Sequence, residues 1–374
     1  MKNKRIKIDP VLCVAWLLAL ISAFFVHPDS SYAGYIDWRS LGILWGLMVI
    51  IQGFKENSVF EKIGEVLLSK VSDKFQLGLV LVFMCFMSAM LITNDVALIT
   101  FVPFAIMILK NCGQEKAIIP VVVLQTIAAN LGSMLTPIGN PQNLYMYGLT
   151  GMSIGEFILT MLPYTVVAAA GLLVCIFFLP DRQEHIRVGD RFNVVKHFGS
   201  KRQVVIYGIL FTIALSSVLR LMPWYVMAII IFVIVLGMDF KILLRADYIL
   251  LLTFIGFFIF TGNMGRIPSV HDWLSSVVEG RDFYISVLLS QLISNVPATL
   301  MLSGFTHNYS ELLAGVNVGG LGTLIASMAS LISYKAYTGM EEKNVARYII
   351  VFTIANLAFL IVLVAVHAAV VIYR

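Results

Sequence analysis

The chain has 374 residues, of which 59% are hydrophobic and 13% charged, with a formal net charge of +5 and a mean hydropathy of +0.91. A soluble domain carries about 25% charged residues, so this composition excludes a soluble globular protein and marks an integral membrane protein. The basic residues are scattered through loops, so the positive charge gives no expectation of a nucleic-acid partner.

Taken in chain order, Lys2, Lys4, Arg5 and Lys7 precede an apolar run from Val11 to Val26. His27-Pro28-Asp29 lacks a small-x-small cleavage pattern, so this run reads as an uncleaved first helix. A spanning helix needs about 20 apolar residues. Crossings are expected near 9–27, 40–54, 117–150 (broken), 156–179, 204–221, 223–239, 248–264, 314–333 and 348–372. The stretches 75–110 and 283–304 are too long or too interrupted for one clean helix. Each reads as a re-entrant hairpin with a polar tip. Val59, Phe60, Ile63, Val66 and Leu67 form an apolar stripe, as do Ile267, Val270, Trp273, Leu274, Val277 and Val278, and both suit helices lying in the membrane interface.

With the N-terminus inside, this layout places 21 of the 26 Lys and Arg residues on the cytoplasmic side and five outside, the asymmetry of a correct orientation. The first hairpin then opens from the cytoplasm and the second from the exterior. The expected architecture is an all-α polytopic membrane protein with inverted repeats, each holding a re-entrant helical hairpin and a broken transmembrane helix. Residues 1–180 form the first repeat, 181–221 a basic cytoplasmic linker and connecting helix, and 222–374 the second repeat. Gly53 to Asn94 is 41 residues and Gly262 to Asn295 is 33, so the first hairpin's entering arm is expected to be about eight residues longer.

The polar interruptions carry the functional reading. Thr93-Asn94-Asp95 and Ser294-Asn295-Val296-Pro297-Ala298 are the two tips. Asn130-Leu131-Gly132-Ser133-Met134-Leu135-Thr136-Pro137 and Asn317-Val318-Gly319-Gly320-Leu321-Gly322-Thr323 are the two breaks. Irregular backbone at membrane depth survives only against protein or a water-filled cavity. Paired breaks in two halves point to a transporter's binding site. Pro137, Pro141 and Pro297 force the breaks, and Gly132, Gly139, Gly319, Gly320 and Gly322 admit close backbone approach. The glycines at 319, 320 and 322 also read as helix-packing residues. Helix starts at such points expose N–H groups and a positive dipole end, which hold an anion without Lys or Arg. Freed carbonyls suit a hard cation such as Na⁺. Asp95 is the only carboxylate deep in an apolar stretch, a costly placement. It is a candidate seat for a coupling ion or, alternatively, a helix cap. His367 reads as a packing residue of the last helix.

At these motifs, with Asn140-Pro141-Gln142-Asn143 and Gly315-x-Asn317, the chain resembles the ion transporter superfamily. The nearest branch is that of ArsB/NhaD-like anion permeases, with the divalent-anion/sodium symporters as relatives. The resemblance spans nearly the whole chain. It implies a scaffold part and a moving transport part that alternates between inward- and outward-facing states. It places substrate ligands at Thr93, Asn94, Asn130, Ser133, Thr136, Asn140, Ser294, Asn295, Asn317, Gly319, Gly320 and Thr323. Ion coupling falls to Asp95 with Asn94 and Asn295, the positions expected for any Na⁺. The symporters of dicarboxylates carry Ser-Asn-Thr at both tips, and this chain does not.

The expected function is ion-coupled secondary transport of a small anion or oxyanion across an inner or plasma membrane. A Na⁺/H⁺ antiporter is the alternative. No cofactor is expected beyond a coupling Na⁺ or H⁺. The expected partners are a small anionic solute and the bilayer, and a homodimer is left open. A channel would use re-entrant hairpins too, but inverted repeats suit alternating access. No H-E-x-x-H, G-x-S-x-G or P-loop motif occurs, so neither an intramembrane enzyme nor an ATP-driven chain is expected. Cys13, Cys85, Cys112 and Cys175 lie far apart and imply neither disulfides nor zinc.

Overall fold

The computed structural model describes residues 9–179 and 199–372. Most of the basic linker expected at 181–202 therefore lies outside the described residues, as do the basic residues before Asp9. Among the described residues every regular element is helical.

Several helix starts are set by side-chain caps. Asp9 accepts from the N–H groups of Val11 and Leu12 and starts α1 (Pro10–Phe25), with proline at the first position, where a missing N–H costs nothing. A short turn, α2 (Tyr32–Tyr35), leads to α3 (Trp38–Glu56), capped by Asp37. The amphipathic α4 (Val59–Leu68) follows. Next come α5 (Lys74–Ile92) and α6 (Asn94–Asn111), joined by Thr93 alone. The first broken helix comprises α7 (Ile118–Ser133) and α8 (Pro141–Thr150). Ser153 and Glu156 form a capping box at the start of α9 (Ile154–Phe177).

The second half repeats the plan after a connecting helix, α10 (Lys201–Val218). It runs through α11 (Trp224–Leu243), α12 (Tyr248–Gly265) and α13 (Pro268–Val278). Asp247 caps α12 as Asp37 caps α3. Then α14 (Asp282–Ile293) and α15 (Asn295–Leu302) are joined by Ser294 alone. The second broken helix is α16 (Tyr309–Val318) with α17 (Met328–Thr338), and α18 (Val345–Ile372) closes the chain.

Among the described residues, eight helical segments are long and apolar enough to cross a membrane: α5, α6, α7 with the turn before it, α9, α10, α11, α12 and α18. One expectation changes in detail. The second broken helix runs from Tyr309 to Thr338 rather than over 314–333, because Asn308 caps it before the apolar run begins. Both arms of the first helical pair are longer than their counterparts, at 19 and 18 residues against 12 and 8.

The helices pack in two groups. In one, α1 lies along α12 and α3 along α10 and α11. Gly53 of α3 makes this close approach possible, since a Cβ there would fall 2.2 Å from the Tyr207 ring. In the other, α5, α6 and α7 pack together beside α9 and α18, and α14 packs with α15 and α16. Each half lends its last broken segment to the other: α17 lies on α6, and α8 lies on α15.

Candidate functional site

The two tips share one backbone geometry. Thr93 has φ 72° and ψ 149°, and Ser294 has φ 77° and ψ 153°. Positive φ with extended ψ is a region left almost entirely to glycine, and here it reverses the chain within one residue. The next residue hooks each tip onto a broken helix. The Asn94 N–H donates to the Gly139 carbonyl at 3.1 Å, and the Asn295 N–H to the Ala326 carbonyl at 3.0 Å. Three residues before each acceptor, a threonine clamps the arm. Thr136 donates its hydroxyl proton to the Met90 carbonyl, and Thr323 to the Gln291 carbonyl. The spacing is the same in both halves.

Between the tips lies a closed cluster of side-chain amides and hydroxyls. Asn94 Nδ2 donates to Asn130 Oδ1 at 3.2 Å, and Asn130 Nδ2 reaches the Gly320 carbonyl at 3.5 Å. Asn140 Nδ2 donates to Asn317 Oδ1 at 3.0 Å and to Ser133 Oγ at 3.1 Å. Asn317 Nδ2 donates to Asn143 Oδ1 at 2.7 Å and to the Leu313 carbonyl at 2.8 Å. Ser327 donates to Asn130 Oδ1 at 3.0 Å. Asn295 rests against Gly320, where a Cβ would meet its Nδ2 at 2.9 Å. The two tips are thus linked through Asn130 and Gly320. All these side chains are buried.

The broken backbone is satisfied by amide side chains, as burial requires. Asn143 Nδ2 donates to the carbonyls of Ser133, Met134 and Thr136. Gln291 Nε2 donates to the carbonyls of Gly319 and Leu321, and its Oε1 accepts from the Thr323 N–H. These freed carbonyls, expected to suit a cation, already have amide donors.

Of the expected ligands, the structure brings together Asn94, Asn130, Ser133, Asn140, Asn317 and Gly320, with Asn295 adjoining. Thr93 and Ser294 form the turns. Thr136 and Thr323 turn their hydroxyls to the arms, and Thr323 is exposed. Gly319 packs on Ser290. Asp95 is half-buried. Its N–H donates to Asn94 Oδ1 at 3.0 Å, and its carboxylate accepts no hydrogen bond among the described residues. Sequence reasoning missed Asn143, Ser327 and Gln291. A signal existed for Ser327: it follows Thr323 at the spacing by which Asn140 follows Thr136. No Lys or Arg belongs to the cluster, and neither tip helix is capped by the side chain before it, although the first N–H of each donates to a broken helix and Asn94 Oδ1 accepts from the Asp95 N–H. His367 packs on the Phe283 ring and also bonds outward. Its Nδ1 lies 3.0 Å from the Tyr164 hydroxyl and its Nε2 3.0 Å from a Glu311 carboxylate oxygen.

An all-helical multi-pass membrane protein with paired broken helices around a buried amide cluster has the build of a membrane transporter. The chain belongs to the CitMHS family, described as citrate transporter, which matches residues 5–309. It is 32% identical over 331 residues to an uncharacterized transporter of Methanocaldococcus jannaschii, covering 88% of this chain and 89% of the relative. It is 29% identical to the inner membrane protein YbiR of Escherichia coli, covering 84% of each. A silicon efflux transporter of Oryza sativa is 27% identical over 41% of this chain and 32% of its own length. These likenesses bear out the resemblance to anion permeases of the ion transporter superfamily and define a transporter rather than an enzyme.

Proposed function

We propose that the chain is a secondary active carrier of a small anion or oxyanion, coupled to H⁺ or Na⁺. Its two halves act as inverted repeats whose re-entrant tips carry the solute by alternating access. It works in an inner or plasma membrane with its N-terminus in the cytoplasm. The observation that carries this reading is the reciprocal exchange across the halves. Asn140 of the first half binds Asn317 of the second, and Ser327 of the second binds Asn130 of the first, each at 3.0 Å. Two helix starts, neither capped by the side chain before it, converge there with neutral amide donors and no basic side chain, a setting that favours an anion. The family description as citrate transporter and the silicon efflux relative support a small, oxygen-rich solute.

The test is thermal unfolding of the purified chain with citrate, arsenite, silicate and phosphate, with and without Na⁺, since a ligand of the folded state raises its melting point. Uptake of any stabilising anion into vesicles under Na⁺ or pH gradients follows. Failure of all four anions to shift unfolding would sink the anion reading. The half-buried Asp95 carboxylate favours a second reading, a Na⁺/H⁺ antiporter. Proton efflux driven by Na⁺ with no anion present would select it.

A further inference from the structure

Five helix ends converge on the face that the charge asymmetry assigns to the cytoplasm: the starts of α5, α7 and α18 and the ends of α6 and α9. Between them lies a cavity of about 430 Å³, within the usual range for a small-molecule site. Leu77, Leu109, Val121 and Leu179 make one wall apolar. Lys74, Lys116 and Arg347 line it with one acid, Glu115. A second cavity of about 300 Å³ shares Glu115, Lys116 and Arg347, and adds Lys110 and Lys343 against Glu342. Five cations thus face two acids.

Among the described residues, Lys116 and Arg347 have no acid to neutralise them. The exposed side chains of Lys116 and Arg347 make no hydrogen bond or ion pair with any described residue. Arg347 also stands in the first turn of α18, where the helix dipole opposes a cation and favours an anion. A free phosphate would use the cations and leave the apolar wall bare. A phospholipid uses both, with its phosphate on the cations and its first acyl carbons on the leucines. Basic pockets between helix ends on the cytoplasmic side suit anionic headgroups.

We propose that this cavity binds an anionic phospholipid, with its phosphate between Lys116 and Arg347 and its chains against Leu77 and Leu179. The site is separate from the amide cluster and does not depend on which solute the protein carries.

The experiment uses the full chain in detergent, stripped of lipid. Its unfolding is followed with phosphatidylglycerol, phosphatidylcholine or inorganic phosphate, and lipid retention is read by native mass spectrometry. Phosphatidylglycerol is expected to raise the melting point and stay bound, and the other two to do neither. Lys116→Ala with Arg347→Ala is expected to weaken phosphatidylglycerol binding at least tenfold. Lys55→Ala with Lys241→Ala, basic residues outside the cavity, is expected to leave it unchanged. If the first pair fails to fold, Lys116→Gln alone is expected to weaken binding several-fold. Equal stabilisation by phosphatidylcholine, full reproduction of the shift by inorganic phosphate, or undiminished binding in the Lys116 variants would each overturn the proposal.

Discussion

Asn140 and Asn317 join the two halves of the molecule through one hydrogen bond of 3.0 Å between their side-chain amides. Asn140 caps α8 through Asn143, and Asn317 ends α16. One bond therefore ties a helix start in the first half to a helix end in the second. Asn317 also donates to Asn143 and to the Leu313 carbonyl.

Asn317→Ala removes three hydrogen bonds, leaves Asn143 Oδ1 buried without a donor, and leaves Asn140 Nδ2 with Ser133 alone. The cost of a buried unsatisfied polar group is about 1–3 kcal/mol. The expected outcome is a clear fall in melting temperature together with loss of anion uptake. An unchanged melting temperature would mean that the cluster rearranges freely.

Gly132→Ala places a Cβ 2.1 Å from the Phe86 carbonyl oxygen, a backbone atom that cannot swing aside. α5 must part from α7, so a loss of at least about 1–3 kcal/mol is expected. Gly208→Ala on α10 is the control, because nothing lies within 4 Å of its Cβ. It should be neutral or stabilise by up to about 1 kcal/mol. Thermal unfolding of the two variants side by side checks both.

Thr93→Gly and Ser294→Gly relieve backbone strain at the tips. Residues held in such φ/ψ regions cost on the order of 1–3 kcal/mol, partly offset by the entropy glycine loses on folding. Each variant is expected to melt higher than the parent in calorimetry. A lower melting point in both would show that the turns are not strained.

Asp95→Asn keeps the size of the side chain and removes its charge. Gradient-driven uptake is expected to fall to background while anions still raise the melting point. Undiminished ion-driven uptake would remove Asp95 from coupling.

The Ser31 hydroxyl and then the Arg266 guanidinium hold the Asp29 carboxyl below its ordinary value of 3.8. A lowered folded-state value means the contribution is present above 3.8 and is lost as pH falls below it. The group is exposed, so the effect is small. Asp29→Asn is expected to make the acid limb of the stability–pH curve slightly shallower. Superimposable acid limbs would assign the pair no role.

Polar residues inside apolar runs carry a cost that sequence makes visible, so Thr93-Asn94-Asp95 and Ser294-Asn295 were legible as tips. The breaks at Asn130–Pro137 and Asn317–Thr323 were legible for the same reason. Ser327 was hidden because a serine between helices has no signature of its own. It becomes conspicuous only when Thr323 and Thr136 are found making the same bond. Gln291 and Asn143 were hidden because their work is to satisfy backbone carbonyls whose orientation exists only after folding. His367 was read as packing, and its bonds to Tyr164 and Glu311 depend on α9 and α16, remote in sequence.

The unequal arms have an electrical consequence. At 1.5 Å per residue, α6 is about 27 Å long and α15 about 12 Å. If the tips carry the solute as proposed, insulation between solute and water is thick on one side and thin on the other. A membrane potential drops mainly across the thicker dielectric, so voltage should bear on one half of the working cycle far more than on its mirror step.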